Sequence, residues 1–151
     1  MIVTITKDAE RIKRILTDPE IWPLITDDSV TATPDDYEPP ISDEFMYLMA
    51  RENGEDIGLA VFEVDLYDLV AFVHIQVLPT YRKQFADQFA GQVVAFGLDA
   101  FERMYADVPV KFPNVIKFAE RHGFVISDTL DSQAVYDGVG YDVVRMRHLV
   151  H

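Results

Sequence analysis

Cysteine is absent from the chain. With it go disulfides, thiolate metal sites and cysteine nucleophiles, and the lack agrees with a reducing cytoplasm, the compartment expected here. Apolar runs long enough to cross a membrane are also missing. The opening MIVTITKDAERIKRIL carries Asp8 and Glu10 and no long apolar core, so we expect a soluble protein without a secretory signal. Positive charge is scarce. Thirteen lysines and arginines face 26 acids, for a formal net charge of −13. Such a chain repels phosphate, which argues against nucleic acid and anionic lipid as partners. No P-loop, nucleophile elbow or basic patch interleaved with aromatics occurs. His148 and His151 lack metal-ligand spacing, and no metal site is expected.

What is present fits one globular domain over residues 1–151, with 49% hydrophobic and 12% aromatic residues. The acids are unevenly placed. Asp27, Asp28, Asp35, Asp36, Glu38, Asp43 and Glu44 fall in one stretch without a lysine or arginine. That stretch reads as a solvated loop, or as a surface for an amine or a basic protein. Alternation predicts a strand over Met1 to Thr6, and Asp8 caps a helix that buries Ile12, Ile15 and Leu16. A second helical piece starts near Asp18-Pro19 and runs through Ile21 and Trp22, before a loop from Thr26 to Ser42. Strands over Phe45 to Glu52, Ile57 to Leu66 and Val70 to Leu78 form an antiparallel meander, its first turn at Asn53-Gly54. The periodicity predicts a helix over Gln84 to Tyr105, a strand over Val108 to Phe112, and a helix over Asn114 to His122 closed by Gly123. Strand material follows at Phe124 to Leu130, Ala134 to Tyr136 and Tyr141 to His148. The order predicts an α/β to α+β fold, a twisted mixed sheet with helices on both faces.

Two stretches carry a resemblance. Val77-Leu78-Pro79 ends a strand and is followed by Tyr81-Arg82; VKFPNVIKFAERHGF, from Val110 to Phe124, places an Asn at a helix start and a Gly-Phe pair at its end. Their order and separation resemble the GNAT superfamily of acyl-CoA-dependent N-acyltransferases. The stretches Pro19 to Trp22, Ile25 to Asp28 and His74 to Lys83 further resemble a phage-encoded branch of it, some of whose members are labelled head-assembly or internal-virion proteins. The resemblance implies a V-shaped splay at the end of the third meander strand. It also implies acetyl-CoA or another acyl-CoA as donor, pantetheine along the backbone at Val77, and pyrophosphate near Arg82, Lys83 and Gln84, with Asn114 at the later helix. Two departures stand out. Lys83, Phe85 and Asp87 occupy the family's glycine positions, and Ala119 stands where many members have a proton-donating tyrosine.

Acyl transfer to an amine needs a base, and His74, five residues before Pro79, is the candidate. A hydrogen-bonded strand histidine is the plainer reading. Glu63 and Asp65 are weaker candidates, Tyr81, Tyr105 and Tyr136 could donate a proton if they reached the cleft, and His122 reads as a charge complement to a helix end. Asn114 reads equally as a helix N-cap. Two functions therefore stand: an N-acyltransferase using acyl-CoA and a primary amine, or a non-catalytic GNAT-fold binding module of phage origin. The second would act in virion assembly or on a host protein through the acidic Asp27 to Glu44 surface.

Overall fold

The structure, a computed structural model, describes residues 1–149, so His151 lies outside the described residues. Strands β1 (Ile2–Thr6), β2 (Phe45–Glu52), β3 (Glu55–Asp65) and β4 (Val70–Val77) form the expected antiparallel meander. Helix α3 (Pro79–Ala100) then crosses to β5 (Arg103–Pro109), which lies parallel to β4. Strands β6 (Phe124–Tyr136) and β7 (Val139–His148) complete a seven-stranded sheet of order β1-β2-β3-β4-β5-β7-β6. The β2–β3 turn places Asn53 at φ 51° and Gly54 at φ 78°, the left-handed pair that a two-residue hairpin requires.

Both faces of the sheet are covered, which explains the unbroken buried run from Ile57 to Phe62 in β3. On one face α3 packs Phe85, Phe89, Val93 and Val94 onto Phe62, Ala71 and Met104, with Ile116 and Ala119 of α4 (Pro113–Arg121) beside them. On the other, α1 (Ala9–Leu16) and the chain leading into α2 (Trp22–Ile25) bury Ile12, Ile15, Leu16 and Ile21 against Tyr47, Met49, Leu59 and Val61. Asp8 caps α1 by accepting from the Arg11 amide at 3.3 Å. From the first turn of α1, Arg11 forks onto Asp56 of β3 with contacts of 2.8 and 2.7 Å, and Arg51 adds a third at 3.1 Å.

The long helix starts and ends five residues earlier than its periodicity predicts, and β5 begins at Arg103 instead of Val108. At the start, Pro79 fits the first helical position and no glycine interrupts the chain before Gly91. At the end, Met104 and Val108 lie four apart, as on a helix, yet occupy same-facing positions of a strand. Phe101 leaves the helix in extended conformation and packs against Phe62 at 5.1 Å.

The sheet opens between β4 and β5. Their pairing covers only Val70↔Arg103, Ala71↔Met104 and Phe72↔Tyr105. Beyond that point β5 pairs on its other side with β7 as far as Pro109↔Val143, while β4 continues to Val77 with no partner on the β5 side among the described residues. The expected splay is there.

Two substitutions test this account. A Cβ at Gly97 would meet the Met104 sulfur and lie 3.3 Å from Phe62. Gly97→Val should cost about 1–3 kcal/mol by overpacking, read as a lower urea midpoint at unchanged slope. The Arg11 hydrogen bonds hold the Asp56 carboxyl below its ordinary 3.8, burial opposing them. A depressed carboxylate pKa stabilises the fold above the unfolded value and loses that contribution as pH falls through the folded one. Asp56→Asn should therefore lower stability at pH 7 and flatten the stability loss below about pH 4.

Candidate functional site

On the α1/α2 side the splay opens into a cavity of about 540 Å³. Its floor comes from alternate residues of adjacent strands: Phe45 and Tyr47 of β2, Val61 and Glu63 of β3, Phe72 and His74 of β4. Leu16, Trp22 and Ile25 wall one side, and Val30, Tyr37 and Pro40 of the acidic loop wall another. Trp22 meets Tyr37 edge-on at 5.2 Å, and the Tyr47 hydroxyl donates to the Pro40 carbonyl at 2.7 Å. Burial raises the phenol pKa of both Tyr37 and Tyr47, so both hydroxyls stay protonated.

The loop is held by its own acids. Asp27 accepts from the Val135 amide at 2.9 Å, and Asp28 accepts from Asp137 and Gly138 at 3.1 and 2.8 Å. Hydrogen bonds from the Ser29 hydroxyl and then the Val135 amide hold the Asp27 carboxyl below its ordinary value. These two acids tie the loop to the β6–β7 hairpin and are spent on structure. Asp35, Asp36, Glu38, Asp43 and Glu44 remain exposed.

His74 faces the cavity between its neighbours Phe72 and Gln76. The ring is open to cleft water yet enclosed by surrounding protein, and burial lowers its pKa to about 4. Water at the ring screens part of that penalty, so the downward direction carries the chemistry: the imidazole is neutral at pH 7. The Gln76 amide lies 3.5 Å from Nδ1. The contact is made by the amide nitrogen, a donor, so Nδ1 accepts and Nε2 carries the proton of the neutral ring. Across the splay stand Asp107 and Arg145, joined by two hydrogen bonds of 2.9 Å. The Arg145 guanidinium also lies 4.9 Å from the Phe72 ring, which stacks on Tyr105 at 5.4 Å.

Glu63, the weaker candidate, also lines the cavity, whereas the other expected residues lie apart from it. Lys83, Phe85 and Asp87 form no loop, because they sit in the second and third turns of α3. Phe85 is only 8% exposed and belongs to the core, so glycines there would remove packing instead of rebuilding an anion nest. Arg82 folds back, its Nε donating to the Val77 carbonyl at 3.0 Å. Lys83 and Gln84 are exposed on α3. Asn114 is exposed at the second position of α4, where Phe112 is the cap and no side-chain cap bond forms; Pro113 takes the first helical position. The capping reading of Asn114 is therefore corrected. Asp87 accepts from Arg121 at 2.9 Å and His122 at 2.8 Å, pinning α3 to α4.

Of the tyrosines, Tyr81 donates to Glu55 at 2.6 Å, Tyr105 stacks on Phe72, and Tyr136 packs against Phe112 at 5.6 Å. Asp65 accepts from the Tyr67 and Asp68 amides in the β3–β4 turn. Asp107, Arg145 and the aromatic walls were not found in the sequence. The alternation Tyr105, Asp107 was the available signal, hidden by reading Tyr105 as helical. Among the described residues no group of three or more His, Asp or Glu side chains is placed to hold a metal ion. An NMR pH titration should show the His74 ring changing charge well below 6.5; a midpoint at or above 6.5 would contradict this environment.

The sequence matches no family model and no curated protein. Solved structures do resemble it. The spermidine N-acetyltransferase SpeG from Vibrio cholerae, in complex with CoA and spermine, superposes with TM-score 0.76 at 18% identity, over 96% of this chain and 94% of that one. Ribosomal-protein-alanine N-acetyltransferase from Brucella melitensis gives TM-score 0.76 at 13% identity, over 97% and 98%. An acetyltransferase of the GNAT family from Streptococcus pneumoniae gives 0.70 at 15%, also over 97% and 98%. At these identities the likeness concerns architecture, and the architecture is the GNAT fold.

Proposed function

We propose that the protein is an N-acyltransferase that moves an acyl group from acyl-CoA to a primary amine. One observation carries this reading: β4 and β5 part after Phe72 and Tyr105, at the floor of the cavity, so His74 and Asp107 stand on opposite banks of the opening. A donor reaching through the splay and an amine lying in the cavity would meet beside His74. Solved structures of the same fold include one bound to CoA and spermine.

The donor supplies an activated thioester carbonyl; positioning and proton handling fall to the chain. The aromatic walls and Tyr37 shield the amine from bulk water. His74, neutral at pH 7, would accept the proton that the ammonium must lose before attack, although the burial that keeps the ring neutral also weakens it as a base. The unpaired edge of β4 from His74 to Gln76 offers backbone groups for an extended donor arm. The fit toward the donor is partial. The Val77 carbonyl is already taken by Arg82, and α3 starts at Pro79, which has no N–H for a phosphate. Arg82, Lys83 and Gln84 would meet the pyrophosphate with side chains in place of a backbone nest.

That donor side favours a second reading. A GNAT-fold binding module of phage origin would need no pyrophosphate site, and its exposed Asp35, Asp36, Glu38, Asp43 and Glu44 would face a basic partner in virion assembly or in the host.

Calorimetric titration with acetyl-CoA, paired with a thiol-release assay on a panel of primary amines, separates the two. The enzyme reading expects saturable CoA binding and amine-dependent thiol release. His74→Ala should lower kcat about 100-fold or more, the usual worth of a positioned base, with little change in CoA affinity. No CoA binding at millimolar concentration would leave the module.

A further inference from the structure

Of the two carboxylates lining the cavity, Asp107 is occupied by Arg145 through two hydrogen bonds. Glu63 has no cationic side chain against it among the described residues and is exposed to the cavity. Its position follows from register. Glu63 pairs with Phe72 and Val61 with His74, so Glu63 and His74 are diagonal neighbours on one face of the sheet. A group placed between the two side chains can reach both, beside the Arg145 guanidinium that rests on Phe72. The remaining walls are apolar or aromatic: Leu16, Trp22, Ile25 and Val30 on the helix and loop side, Phe45 and Tyr47 on the sheet.

We propose that Glu63 is the acceptor-recognition residue and that the cavity takes a monoamine with a hydrophobic body. This rests on the acyltransferase reading. The ammonium sits between Glu63 and His74, held by a charge-assisted hydrogen bond to the carboxylate, while the body of the ligand packs against Trp22 and Tyr37. Aromatic faces near the cation add to the attraction. A polyamine is disfavoured because its further ammonium groups would find no second unpaired carboxylate in the wall. The acidic loop outside the cavity draws cations of any kind toward the mouth, so discrimination falls to Glu63 and the apolar walls within.

Trp22 is the only tryptophan of the chain and lines the cavity, so its emission reports occupancy directly. The full chain is titrated with 2-phenylethylamine, with the neutral isostere 2-phenylethanol and with spermidine, without any acyl donor. The amine should change Trp22 emission saturably, and the alcohol and spermidine should bind about tenfold more weakly or worse, since a hydrogen bond to a charged group is at stake. Glu63→Gln should lose about tenfold or more in affinity for the amine and little for the alcohol, and Glu63→Asp should recover part of the loss. In turnover, the loss should fall on the amine KM more than on kcat.

Equal binding of amine and alcohol, spermidine binding as tight as the monoamine, an indifferent Glu63→Gln variant or no amine binding at all would each overturn the proposal. Its fate is separable from that of the enzyme. Glu63-dependent amine binding without acyl transfer would sink the acyltransferase reading and leave this site. Acyl transfer to spermidine, indifferent to Glu63, would do the reverse.

Discussion

The parting of β4 from β5 is the constraint on which the rest depends. Parallel strands need a crossover, and α3 provides it, so β4 and β5 are neighbours at their N-terminal ends. They are also committed elsewhere. β4 is bonded along its length to β3, and β5 to β7, and both sheet halves twist. After Phe72 and Tyr105 the two halves go separate ways, and one edge of β4 is left without a ladder partner. An unpaired strand edge inside a domain carries unused N–H and C=O groups, which is costly unless something meets them. Arg82 meets one, at Val77. The others face the opening where the cavity, His74 and the Asp107–Arg145 pair converge.

Two ion pairs divide the work of holding that opening. Arg145 and Asp107 fix its far bank from within, each about one-third exposed, with the guanidinium also resting on Phe72. Asp87 with Arg121 and His122 joins the helices that follow the splayed strands, on the opposite face. The second group is more exposed and correspondingly weaker.

Much of this was legible in the sequence because it depends on local rules. The meander followed from alternation and from Asn53-Gly54, and the first helix from Asp8 and its apolar stripe. The failures share another cause. Whether Pro79 opens a loop or a helix turns on the missing glycines, and the family pattern suggested a loop where local chemistry favoured a helix. Met104 and Val108 satisfy helical and strand periods alike, and only packing against Phe62 and Gly97 decides between them. Asn114 has a capping side chain but stands one residue inside the helix that Pro113 begins. The cavity wall was out of reach for a different reason: Trp22, Tyr37 and Arg145 meet only through tertiary contact.

The charge distribution completes the account. A chain at −13 is a poor host for a polyanionic donor if its charge is spread evenly, but it is not spread evenly. The helices α3 and α4 carry Arg82, Lys83, Lys117 and Arg121 against Asp87, Asp99 and Glu120. The stretch from Asp27 to Glu44 on the other side holds seven acids and no base. At physiological salt, fields fade over about 8 Å, so each side of the sheet presents its own local charge to an approaching molecule. On the proposed acyltransferase reading, the near-neutral to positive face over α3 and α4 would meet the anionic donor, and the acidic rim, to which Lys13 of α1 also reaches, would meet the cationic amine. The splay between β4 and β5 is the place where two such ligands could touch.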